Sequence, residues 1–66
     1  MTKETGLKLF KMIITNNGRP SSKELEKEFG MREGREISRQ LYLATFATYT
    51  DEKLVELAKV AYKKFR

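Results

Sequence analysis

The sequence predicts a small all-α domain of three to four helices. Apolar residues recur at helical spacing in four segments, and short breaks containing Gly, Asn, Pro or Ser separate the first three of them. β-Branched residues do not alternate with polar ones over any useful length, so strands are not expected. The 66 residues are therefore expected to form one helical domain, 1–66, with helices near 5–16, 21–29, 35–49 and 51–65.

The first predicted helix, 5–16, carries a wide apolar arc. Leu7, Phe10 and Ile14 share one face, and Leu9 and Ile13 lie beside it. Such an arc is typical of a helix buried on two sides. The Asn-Asn-Gly run that follows ends the helix, because Gly tolerates the left-handed backbone conformation.

The second predicted helix, 21–29, begins with a capping pattern. Ser21 is followed three residues later by Glu24, so the hydroxyl and the carboxylate can each satisfy a free N–H of the first turn. Leu25 and Phe29, four residues apart, are its predicted buried contacts. Gly30 is the predicted stop.

The third predicted helix, 35–49, has two distinct faces. Residues 31–34 are expected to form a turn or a loose first helical turn, because Gly34 weakens any continuous helix through it. The predicted inner face comprises Ile37, Leu41, Ala44 and Thr48. The opposite face comprises Arg35, Arg39, Tyr42 and Phe46.

The fourth predicted helix, 51–65, begins at Thr50 or Asp51, where a polar or acidic side chain suits the positive helix end. Lysines at positions 63 and 64 suit the opposite end. Its predicted core face comprises Leu54, Leu57, Ala58, Ala61 and Phe65.

The middle of the chain resembles a helix-turn-helix module. The stretch SSKELEKEFGM, residues 21–31, has apolar residues four apart, a Gly in the turn and an apolar residue directly after it. The stretch ISRQL, residues 37–41, resembles the recognition-helix segment of that superfamily. The resemblance covers about a third of the chain. It implies a helix-turn-helix-like central pair, a recognition helix at 35–49, and a first helix that supports a tri-helical core.

A net charge of +5 fits a polyanionic partner such as DNA. Arginine hydrogen-bonds to phosphates and to guanine in the major groove, and the first helix of a helix-turn-helix crosses the DNA backbone. Lys23 and Lys27 alternate with glutamates, which is also typical of a solvated helix. The candidate nucleic-acid-binding residues are Lys23, Lys27, Arg32, Arg35, Ser38, Arg39 and Tyr42. The expected role is that of a transcriptional or recombination accessory regulator.

The alternative is a protein-interaction module, such as a small antagonist or adaptor. Tyr42, Phe46 and Tyr49 would be its anchors, because interface hot spots are enriched in aromatic residues and Arg. Val60 lies off the main core face of the last helix and indicates an interface there. A homodimer is therefore also expected.

Catalysis is not expected, because the chain has no Cys and no His to serve as nucleophile, base or soft metal ligand. No Gly-rich phosphate loop is present, so neither cofactor nor small-molecule substrate is expected. The polar N-terminus and the short apolar run at 12–14 indicate neither signal peptide nor membrane span. The sequence therefore predicts a cytoplasmic protein that is not an enzyme.

Overall fold

The computed structural model describes residues 2–66 and contains, within that range, four α-helices and no strand. The helices are α1, Lys3–Asn16; α2, Ser22–Phe29; α3, Met31–Tyr42; and α4, Asp51–Phe65. The predicted all-α fold class is confirmed. No helix in this part of the chain is long and apolar enough to cross a membrane.

The contacts divide the chain into two compact units. One combines the chain up to Arg19 with Thr50–Arg66, and the other is Pro20–Tyr49. Within the first unit α1 packs on α4, and within the second α2 packs on α3.

In the first unit, α1 and α4 share an apolar core. It is formed by Leu9, Ile13, Leu54, Val55 and Ala58. The helix α1 ends in a left-handed Asn17, whose N–H donates to the Ile14 carbonyl, and the next N–H, of Gly18, donates to the Ile13 carbonyl. The left-handed residue is thus Asn17 and not the glycine that follows it.

An ion pair joins the end of α1 to the start of α4. Arg19 Nη1 lies 2.5 Å from Asp51 Oδ1, and the arginine side chain is largely buried. Asp51 is the first residue of α4, and Thr50 before it accepts the Lys53 N–H, which confirms the predicted polar cap. These contacts fix where the chain returns to the first unit after the Pro20–Tyr49 segment.

In the second unit, α2 and α3 cross very closely. Their core is Leu25, Ile37 and Leu41. A Cβ added at Gly34 would lie 2.6 Å from both the Glu26 Cα and the Leu25 carbonyl oxygen, so only glycine fits this crossing. The Ser21 part of the predicted cap of α2 is confirmed, because the Ser21 hydroxyl accepts the Glu24 N–H.

The predicted bounds of the third helix differ from those observed at both ends. The helix begins at Met31, because Gly30, with φ of 90°, is the whole connection between α2 and α3. It ends at Tyr42 and not at Tyr49. The Gln40 carbonyl accepts the Phe46 N–H and its side chain accepts the Thr45 hydroxyl, which folds the chain back out of the helix.

This early end alters the predicted inner face of the third helix. Ile37 and Leu41 are buried as predicted, whereas Ala44 and Thr48 lie beyond the helix and are exposed. In α4 the predicted core face is partly wrong as well. Leu57 and Phe65 are exposed, and Val55, which the helical pattern did not select, is buried.

Candidate nucleic-acid interface

The exposed face of α3 carries three arginines. Arg32, Arg35 and Arg39 are spaced by three and four residues, so their side chains leave the helix within about 60° of one another. The side chains of Arg35 and Arg39 are 69% and 61% exposed. Burial of Ile37 and Leu41 against α2 fixes which side of α3 these arginines occupy.

Two carboxylates lie near these arginines. Glu26 Oε1 of α2 is 3.9 Å from Arg35 Nε, and Glu36 Oε1 is 3.6 Å from Arg39 Nη1. Exposed pairs of this kind are worth about 0–1 kcal/mol, so a phosphate or a guanine can replace the carboxylate at low cost. These guanidinium groups are therefore available to an anionic ligand.

Two hydroxyls that the sequence assigned to nucleic acid are bound within the second unit. Ser38 Oγ lies 2.6 Å from Ser22 Oγ, across the α2–α3 contact. The Tyr42 hydroxyl donates to the Pro20 carbonyl at 2.6 Å. Both side chains thus connect α3 to the start of the α2 segment.

The Tyr42 hydroxyl is expected to contribute to the stability of the fold and not to DNA affinity. Replacing Tyr42 by Phe removes the donor to the Pro20 carbonyl, and we expect a loss of about 0.5–1.5 kcal/mol in the free energy of unfolding. DNA affinity should stay within about twofold, because the ring remains and the hydroxyl is already bound. Urea denaturation and a DNA titration of the same variant measure the two quantities. A large loss of affinity with unchanged stability would contradict this assignment.

The predicted phosphate contacts Lys23 and Lys27 are both exposed on α2. Five lysines and arginines in Pro20–Tyr49 are balanced by five glutamates, so this unit has no net charge. The excess of +5 therefore belongs to the α1–α4 unit. The sequence-wide charge did not reveal this division, which depends on which segments pack together.

The aromatic candidates Phe46 and Tyr49 lie in the turns after α3. Their rings pack edge to face, with centroids 5.4 Å apart, and Phe46 is half-buried. Phe46 therefore does not belong to the arginine face of α3, because the helix has ended four residues earlier. Two exposed apolar residues, Met31 and Leu43, lie at the two ends of α3. Neither was among the interface residues predicted from the sequence.

Within residues 2–66 no three acidic side chains cluster in a way that could hold a metal ion. Comparison with protein-family models, with curated proteins and with solved structures gives no match for this chain.

Proposed function

We propose that this protein binds duplex DNA and that α3 is its recognition helix. The observation that carries the proposal is the exposed face of α3, where Arg32, Arg35 and Arg39 lie side by side. Arginine is the side chain best suited to bidentate contacts with guanine and with phosphate.

The size of α3 suits a major groove. Twelve residues at about 1.5 Å each make a rod of about 18 Å, and the groove, about 12 Å wide, admits one α-helix. The very close α2–α3 crossing at Gly34 supports the proposal, because it holds α3 rigidly on its inner side while the arginine side stays open.

The charge of the α1–α4 unit has a separate role in this proposal. A unit that carries the whole excess of +5 attracts a polyanion over a distance. The balanced α2–α3 unit then supplies directional contacts rather than bulk attraction. We assign the protein a role as a transcriptional or recombination accessory regulator in the cytoplasm.

A titration of labelled random duplex DNA at about 50 mM and about 200 mM salt tests the proposal. We expect binding at the lower salt and a marked loss of affinity at the higher one, because phosphate contacts release condensed counterions. A wild-type protein that leaves the duplex unbound at the lower salt would remove the proposal.

Exposed apolar side chains around the end of α3 favour one second candidate function, protein binding. Leu43 is 80% exposed, and Tyr42 and Tyr49 are partly exposed nearby in sequence. A non-catalytic antagonist or adaptor would use these as anchors. This candidate would be favoured over the first by two results together. The wild-type protein would not bind DNA, and Leu43→Glu would abolish the binding of a protein partner that the wild type binds.

A further inference from the structure

The outer face of α4 bears two adjacent exposed aliphatic residues. Leu57 is 40% exposed and Val60 is 66% exposed. They are three residues apart, so they lie side by side on the helix. They also stand on either side of the middle of α4, which spans Asp51–Phe65.

The charges of α4 are divided between its two halves. The first half carries Asp51, Glu52 and Glu56 with a single lysine, Lys53. Beyond Leu57 the helix and the final residue carry only cations, namely Lys59, Lys63, Lys64 and Arg66. A helix with this division is complementary to a reversed copy of itself.

We infer that α4 pairs with α4 of a second copy of this chain in an antiparallel arrangement. With a two-fold axis between residues 58 and 59, Leu57 of each copy meets Val60 of the other. The same axis places the acidic half of each helix beside the basic half of its partner, and the two helix dipoles oppose each other favourably. This inference is independent of the proposed DNA binding.

The edge of this pairing supplies a specific ion pair. Glu56 and Lys63 are seven residues apart and leave the helix on nearly the same side, about 20° from each other. In an antiparallel pair, like edges face each other, so Glu56 of one copy lies beside Lys63 of the other, about 3 Å apart along the axis. The two-fold symmetry creates this contact twice.

Two other charges limit the strength of the pairing. Lys53 and Lys64 oppose each other across the same axis, but their stems extend the apolar contact while the ammonium groups reach solvent. The net charge of each copy is screened beyond about 8–10 Å at physiological salt, so contacts at the interface decide the outcome. The dimer is accordingly one that forms at high protein concentration.

Sedimentation equilibrium up to about 1 mM protein without DNA tests the pairing. We expect wild-type dimers at the upper concentrations, and Val60→Glu should raise the dissociation constant at least about tenfold. The matched control is Met31→Glu, which alters an exposed apolar residue of the other unit and should leave the dissociation constant unchanged. Circular dichroism confirms that both variants keep their helices.

A charge exchange tests the antiparallel orientation. Glu56→Lys and Lys63→Glu should each weaken the dimer, and the double variant should return to within about threefold of the wild type. A parallel pair would not bring these two positions together and would show no such restoration. A wild-type monomer at the highest concentration, a dimer broken by Met31→Glu but not by Val60→Glu, or a double variant as weak as the singles would each overturn the inference.

Discussion

Replacing Gly34 by Ala is expected to lower the free energy of unfolding by about 1–3 kcal/mol. Helix propensity alone predicts the opposite sign, because Ala favours a helix interior by about 1 kcal/mol over Gly. The added methyl would lie 2.6 Å from the backbone of Leu25 and Glu26, and backbone atoms do not move aside as a flexible side chain does. The helices α2 and α3 would therefore have to separate, which weakens the contacts of Leu25.

Glu33→Ala is the matched control, because it places alanine at the neighbouring exposed position of the same helix. Its effect should stay within about 0.5 kcal/mol. Thermal and urea denaturation followed by circular dichroism measure both variants. A Gly34→Ala protein that melts at a higher temperature than the wild type would show that α2 and α3 do not cross as closely as described.

Replacing Leu41 by Ala should cost about 2–5 kcal/mol. Leu41 is 2% exposed and faces the centre of the α2–α3 unit, so its truncation removes apolar contacts and leaves a cavity. At about 0.05–0.15 kcal/mol per residue, a chain of 66 residues has a stability of about 3–10 kcal/mol, so this substitution removes a large part of it. We expect the variant to be largely unfolded at 37 °C.

Leu43→Ala provides the comparison for Leu41→Ala, since the same side chain is removed two residues further on, at a largely exposed position. The melting curve should be almost unchanged. Equal effects of the two substitutions would contradict the burial of Leu41 and the exposure of Leu43, which lies two residues further on and points away from the core.

Local signals in the sequence were sufficient to predict the helices and most of their ends. Ser21 and Thr50 cap their helices through side-chain contacts with residues only three positions away, so the sequence contains both partners. The end of α3 depends instead on Gln40, whose contacts with Thr45 and Phe46 compete with helical bonds that the apolar pattern also allows. Periodicity does not reveal such competition.

The candidate site was predictable to the extent that it depends on helical spacing. The separation of Arg35 and Arg39 from Ile37 and Leu41 follows from the spacing alone. The position of the Tyr42 hydroxyl does not, because its acceptor, the Pro20 carbonyl, is 22 residues away. The role of Gly34 was not predictable either. Its sequence neighbours indicate only that it weakens a helix, whereas the need for glycine comes from the backbone of Leu25 and Glu26 in α2.

The arginine face of α3 is the proposed DNA-binding surface. Its most direct test is the salt dependence of DNA affinity for an Arg35→Ala, Arg39→Ala double variant. The control is a Lys3→Ala, Lys11→Ala double variant, which removes the same charge from exposed positions of α1.

We expect the α3 variant to bind DNA more weakly than the wild type. Its plot of log affinity against log salt should be flatter by up to about two units, at about 0.9 per lost phosphate contact. The α1 variant should keep a steeper slope and a higher affinity than the α3 variant. Equal losses of affinity in the two variants would mean that net charge governs binding and that α3 is not the recognition helix.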